Sequence, residues 1–119
     1  MSDHGIRDER VLERDDLHVL LELVVPADSD FFDGHFPQYK LLPAVGQFQI
    51  ITRLARKYFG TDASVLRIRR IKFSSPILQD TKVRLSMTLN ERKDSVSFTM
   101  SDAAAGRSYS TGSFSVRFP

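Results

Sequence analysis

Between Lys82 and Met100 the chain alternates strictly. Val83, Leu85, Met87 and Leu89 interleave with Lys82, Arg84, Ser86 and Thr88, and after a polar break at 91–94 the pattern resumes with Val96, Phe98 and Met100. A period of two with one apolar face is the pattern of half-buried antiparallel strands, and a short polar break joins two of them as a hairpin. Such a pair is committed to a sheet with one wetted face and one face that needs an apolar layer. The same spacing occurs upstream, where Leu17, Val19, Leu21, Leu23 and Val25 alternate with His18, Leu20, Glu22 and Val24. It occurs again downstream, where Tyr109, Phe114, Val116 and Phe118 follow a turn at 103–106. Within 65–73 the parity changes: Leu66 and Ile68 fall on one side, Ile71 and Phe73 on the other, so the spacing predicts a bulge near Arg69-Arg70.

The covering layer comes from one segment. Val45, Phe48, Ile51, Leu54, Ala55 and Tyr58 recur at helical spacing between Ala44 and Phe59. Pro43 stands at the first helical position, where a missing N–H costs nothing, and Gly60 is the stop signal. A strand, one long helix and then four strands make an α+β domain in which a curved antiparallel sheet wraps a central helix. One sheet and one helix leave strand edges bare, a need that a dimer continuing the sheet would meet.

A chain of 119 residues is the size of one domain. Residues 17–119 are read as that domain. Residues 1–16 crowd ten charged or histidine side chains together and are read as a mobile or edge-lying arm. Lys plus Arg total 17 against 15 for Asp plus Glu, a net charge of +2, which calls for neither nucleic acid nor membrane as a partner. The absence of cysteine removes disulfides, thiol nucleophiles and cysteine metal sites. No apolar run has the length of a membrane span, and the charged start lacks a signal-peptide core, so a cytoplasmic location is expected. His4 falls in the charged arm, and His18 shares the polar strand face with Glu22 as a cross-strand contact. Neither completes a metal or triad pattern.

His35 is different. It follows Phe31-Phe32-Asp33-Gly34 and precedes Phe36-Pro37, in irregular chain shortly before the helix that opens at Pro43. Free N–H groups and the positive end of a helix dipole favour a developing negative charge, such as the enolate-like oxygen of a thioester losing a proton. Histidine is the side chain best suited to take that proton near neutral pH. The plain alternative is a loop histidine that hydrogen-bonds its neighbours.

Phe31-Phe32-x-Gly34-His35-Phe36-Pro37, followed by Leu41-Leu42-Pro43-x-Val45, closely resembles the signature of the β-hydroxyacyl-acyl carrier protein dehydratases, which have the hot-dog fold. Ile71-Lys72-Phe73-x-x-Pro76-Ile77-x-x-Asp80 is similar to that family's region after the helix, and the resemblance spans roughly residues 17 to 118. Gln47 is also similar to the branch of these dehydratases tied to aryl-polyene synthesis. The resemblance implies a dimer, homo- or hetero-, with another hot-dog subunit and active sites at the subunit boundary. It also implies His35 as the catalytic base, and no metal or organic cofactor. Its usual acid, a Glu or Asp six residues after the motif proline, is here Gln49, which cannot transfer a proton at neutral pH. Two further departures are Lys40 for a common proline and Ala44 for a common glycine.

Three functions are compatible with this pattern. In the first, a 3-hydroxyacyl thioester of acyl carrier protein or coenzyme A is dehydrated to the trans-2-enoyl thioester. His35 removes the C2 proton, Gly34, Ala44 and Val45 bind the thioester, and Gln49 orients the hydroxyl or a water. His35 returning its own proton, Asp33, or an acid from a partner subunit could protonate the departing hydroxyl. Arg53, Arg56 and Lys57, toward the end of the same helix, would meet the acidic carrier or the phosphate of its pantetheine arm. Arg67, Arg69, Arg70 and Lys72 form a second cationic strip for that contact. The second function is a non-catalytic hot-dog subunit that binds acyl chains or completes an active dehydratase. The third is a hot-dog acyl thioesterase.

Overall fold

The computed structural model describes residues 6–25, 41–42, 44–61, 67–75, 77–78, 80–104 and 106–117. The elements in chain order are β1 (Arg7–Arg14), β2 (His18–Val24), β3 (Leu41–Leu42), α1 (Ala44–Phe59), β4 (Arg67–Ile68), β5 (Lys72–Phe73), β6 (Ile77–Leu78), β7 (Lys82–Asn90), β8 (Ser95–Asp102) and β9 (Ser108–Ser115). One antiparallel sheet runs in the order β1-β2-β7-β8-β9-β4, with β5 also on β9, and β3 pairs with β6 separately. This is the hot-dog architecture.

The alternation at 82–100 becomes an unbroken ladder from Val83↔Asp102 to Asn90↔Ser95, closed by a turn at 91–94. Val83, Leu85, Met87, Val96 and Met100 are fully buried on one face, while Lys82, Arg84, Thr88, Ser97 and Thr99 face solvent on the other. β2 adds Val19, Leu21 and Leu23 to the buried face, and β9 adds Phe114. Helix α1 covers this face with Ile50, Ile51, Leu54 and Ala55, all fully buried. Phe48 meets Phe114 edge to face, ring centroids 5.4 Å apart, an arrangement worth more than its area alone. Gly60 ends the helix in a left-handed conformation, φ 71°, and its N–H donates to the Arg56 carbonyl at 3.0 Å.

The expected bulge at 69–70 takes the form of a break. β4 pairs Ile68↔Phe114 and β5 pairs Lys72↔Thr111, so four residue steps on one side oppose three on β9. Gly112 lies opposite the extra residue. A Cβ there would stand 2.7 Å from Ile71 Cα and also press on the Arg70 carbonyl, so only glycine fits beneath the break. The sequence pattern puts Ile68 and Phe73 on inward faces, but they are 55% and 37% exposed, because each belongs to a two-residue strand at the sheet edge.

Residues 7–14 form a full strand at the other edge, where the sequence offers no apolar alternation. Ion pairs substitute for an apolar face. Glu22, on β2 and almost fully buried, receives Arg10 at 3.0 Å, Arg84 at 3.3 Å and Lys82 at 3.7 Å. Burial alone would push its carboxyl up, but the Arg84 hydrogen bond and the three cations outweigh that and hold it below the usual carboxylate range.

Candidate functional site

His35 and Gly34 lie outside the described residues, as does Asp33, so the described part of the site is the helix and what it packs against. Ala44 and Val45 are the first two residues of α1. The first turn carries no acidic side chain, so nothing of the helix's own neutralises its N–H groups. That leaves the amides at 44 and 45 in the helix position that favours negative charge.

Gln49 is exposed, one turn further on. The hydroxyl of Thr52 donates to the carbonyls of Phe48 at 3.1 Å and Gln49 at 3.2 Å, which occupies it within the helix. Arg53 and Arg56 are exposed on the same side as Gln49, as helical spacing requires. The helix therefore carries an open polar stripe that starts in its second turn with an amide and continues with two guanidinium groups.

Lys57 departs from that stripe. Its ammonium lies 2.7 Å from Glu9 of β1, and the Tyr58 hydroxyl bonds the same carboxylate. Arg14, from the end of β1, donates to the Tyr58 carbonyl at 3.2 Å and stacks over the Tyr58 ring, 5.2 Å from its centroid. β1 thus clasps the C-terminal end of α1, and Arg56 and Lys57 also complement the negative end of the helix dipole. A cleft of about 430 Å³ beside this clasp is lined by Arg14, Asp15, Asp16, Tyr58, Phe59 and Leu89, at the opposite end of the helix from Ala44. The second cationic strip, Arg67, Arg69, Arg70 and Lys72, is exposed throughout on the β4/β5 edge. His18 makes the expected cross-strand contact, its Nε2 3.1 Å from the Ser86 hydroxyl.

Sequence reasoning missed two arrangements. The Glu9, Arg14 and Tyr58 clasp joins residues more than 40 positions apart and has no local signal. Gln47 had one: it shares a helical face with Ile50, Ile51 and Leu54, and it is as fully buried as they are.

A dehydratase family model, ApeI-like, described as ApeI dehydratase, matches residues 11–113. The chain belongs to the ApeI-like dehydratase family. No curated protein matches it significantly. Among solved structures, a chain of the dehydratase heterocomplex ApeI:P from Xenorhabdus doucetiae is 22% identical with a TM-score of 0.76, covering 93% of this chain and 99% of that one. An uncharacterized protein from Erwinia carotovora subsp. atroseptica is 30% identical with a TM-score of 0.72, covering 93% and 90%. A hypothetical thioesterase from Streptococcus pneumoniae, solved with coenzyme A, shares the fold at 11% identity and a TM-score of 0.68, covering 92% and 84%. The ApeI-like match agrees with the resemblance carried by the Gly34-His35-Phe36-Pro37 motif and sets the dehydratases ahead of the thioesterases.

Proposed function

We propose that this chain acts on 3-hydroxyacyl thioesters, carried by acyl carrier protein or coenzyme A, and dehydrates them to trans-2-enoyl thioesters in fatty-acid or polyene-type synthesis in the cytoplasm. The observation that carries the reading is the ApeI-like family match over residues 11–113, which spans both the His35 motif and the helix that follows it. In this mechanism His35 takes the proton from C2, and the amides at Gly34, Ala44 and Val45 stabilise the negative charge that develops on the thioester oxygen. The C2–H electron pair becomes the double bond as the C3–O bond breaks, and hydroxide leaves with a proton as water. Gln49 orients the departing hydroxyl. The proton comes back from His35 or from an acid on a partner subunit.

The partner is a second hot-dog subunit, identical or different, docked on the β4/β5 edge. That edge exposes Ile68 and Phe73, whereas the β1 edge is covered with charge and broken by two register shifts. Arg53 and Arg56, with the Arg67–Lys72 strip, would receive the acidic carrier or its phosphate.

A second reading has a specific motive. Gln49 cannot serve as an acid, and the similar ApeI:P assembly is a dehydratase heterocomplex, which favours the chain as the non-catalytic half of such a pair. Incubating the purified protein with a 3-hydroxyacyl carrier protein and following enoyl formation tests the first reading. Turnover is expected to fall by about 10² or more in His35→Ala, and undiminished activity in that variant removes His35 from the mechanism. Gln49→Glu separates the readings. A large gain in turnover by the isolated chain marks a degenerate site, and a loss marks glutamine as adapted to its task.

A further inference from the structure

Gln47 is a polar side chain with 0% exposure, set among Ile50, Ile51 and Leu54 on the buried face of α1. Its Nε2 donates to the main-chain carbonyl of Ser75 at 3.0 Å. Ser75 lies just past β5, and the segment is itself fixed to the main sheet, since the Ser74 N–H donates to the Tyr109 carbonyl at 2.8 Å. Two residues beyond Ser75, Ile77 begins β6, which pairs with β3 through Leu42↔Ile77 and Leu41↔Leu78. β3 ends at Leu42 and α1 begins at Ala44. A small closed circuit results: Leu42 to the helix start, Gln47 across to Ser75, and Ile77 back to Leu42.

We infer that Gln47 is a positioning residue: it ties the opening turn of α1 to the sheet through Ser75 and so fixes where the amides of Ala44 and Val45 point. This rests on the dehydratase reading only for its consequence in turnover. The geometric reason is the closed circuit. Without the Gln47 link the helix start is held to the 72–78 arm by two short paired strands, and a pair of two-residue strands is a weak hinge. With it, the first turn is held on both sides of residues 44–46. An apolar side chain of equal length would fill the space and leave the Ser75 carbonyl without this donor.

Two variants of the full-length protein test the assignment. Gln47→Met keeps the length and removes the donor, and Gln47→Glu keeps the shape and sets a carboxylate against the carbonyl. With a 3-hydroxyacyl-pantetheine thioester, kcat is expected to fall about tenfold in the Met variant and further in the Glu variant, while KM stays within about twofold, because a shifted oxyanion site weakens the transition state more than substrate binding. In hydrogen exchange, amides 48–51, which bond back to the carbonyls of the opening turn, should exchange faster in the Met variant while those of β7 and β8 are unchanged. A kcat within about twofold of the unsubstituted chain in both variants overturns the positioning role. If the unsubstituted protein dehydrates no thioester, the functional reading fails by itself, and the exchange measurement still decides the tether: faster exchange at 48–51 supports it and unchanged exchange refutes it.

Discussion

Glu22 shows how one buried charge can be tolerated. A carboxyl this buried, on the face of β2 opposite Val19, Leu21 and Leu23, would be costly alone, but three cations from β1 and β7 reach it. Its carboxyl is held below its ordinary value in the folded chain, so its contribution to stability is present above the ordinary carboxylate pKa and is lost as the pH falls through the lowered one. Melting temperature measured from pH 6 to pH 3 should therefore fall more steeply in the unsubstituted protein than in Glu22→Gln, which should already be less stable at neutral pH. At Gly112 the constraint is space. Gly112→Ala sets a methyl group 2.7 Å from Ile71 Cα and should cost about 1–3 kcal/mol in denaturant unfolding, since the Arg70 carbonyl and Ile71 Cα are backbone and cannot swing away.

At the level of elements, what could be read beforehand follows from which force holds each one. β7, β8 and α1 are held by apolar burial, which writes a period of 2 or 3.6 into the sequence, and their residues were legible to within a position or two. β1 is held by backbone pairing with β2, by ion pairs to Glu22 and Lys57 and by a hydrogen bond from the Tyr58 hydroxyl, none of which leaves a local period, so its charged run reads as an arm. The His35 motif stands out as a candidate site because its residue types match a known signature, while the Gln47 link depends on a carbonyl 28 residues away that no pattern reports. Since Glu9 joins β1 to the end of α1, Glu9→Ala should loosen that end specifically. Faster amide exchange at residues 56–60 is expected, with a stability loss of about 1 kcal/mol and little change at residues 48–51. Equal loosening at both helix ends would show that the clasp is not local.

For the whole molecule the two sheet edges are unlike. Ile68 and Phe73 are exposed on one, beside Arg67, Arg69, Arg70 and Lys72, and charge with two register shifts marks the other. If the β4/β5 edge docks a partner as proposed, Phe73→Asp should weaken self-association or association with a hot-dog partner by tenfold or more, read by sedimentation velocity or light scattering, whereas Val11→Asp on β1 should leave it unchanged. If Arg53, Arg56 and the β4/β5 strip receive a carrier as proposed, binding should decline as salt rises, and Arg56→Glu should raise KM for a carrier-bound substrate more than for a pantetheine thioester. The same asymmetry limits growth. If a mate docks on the β4/β5 rim as proposed, the pair presents only the charged, irregular β1 rims outward, so addition would end at two and no ribbon of stacked sheets would propagate.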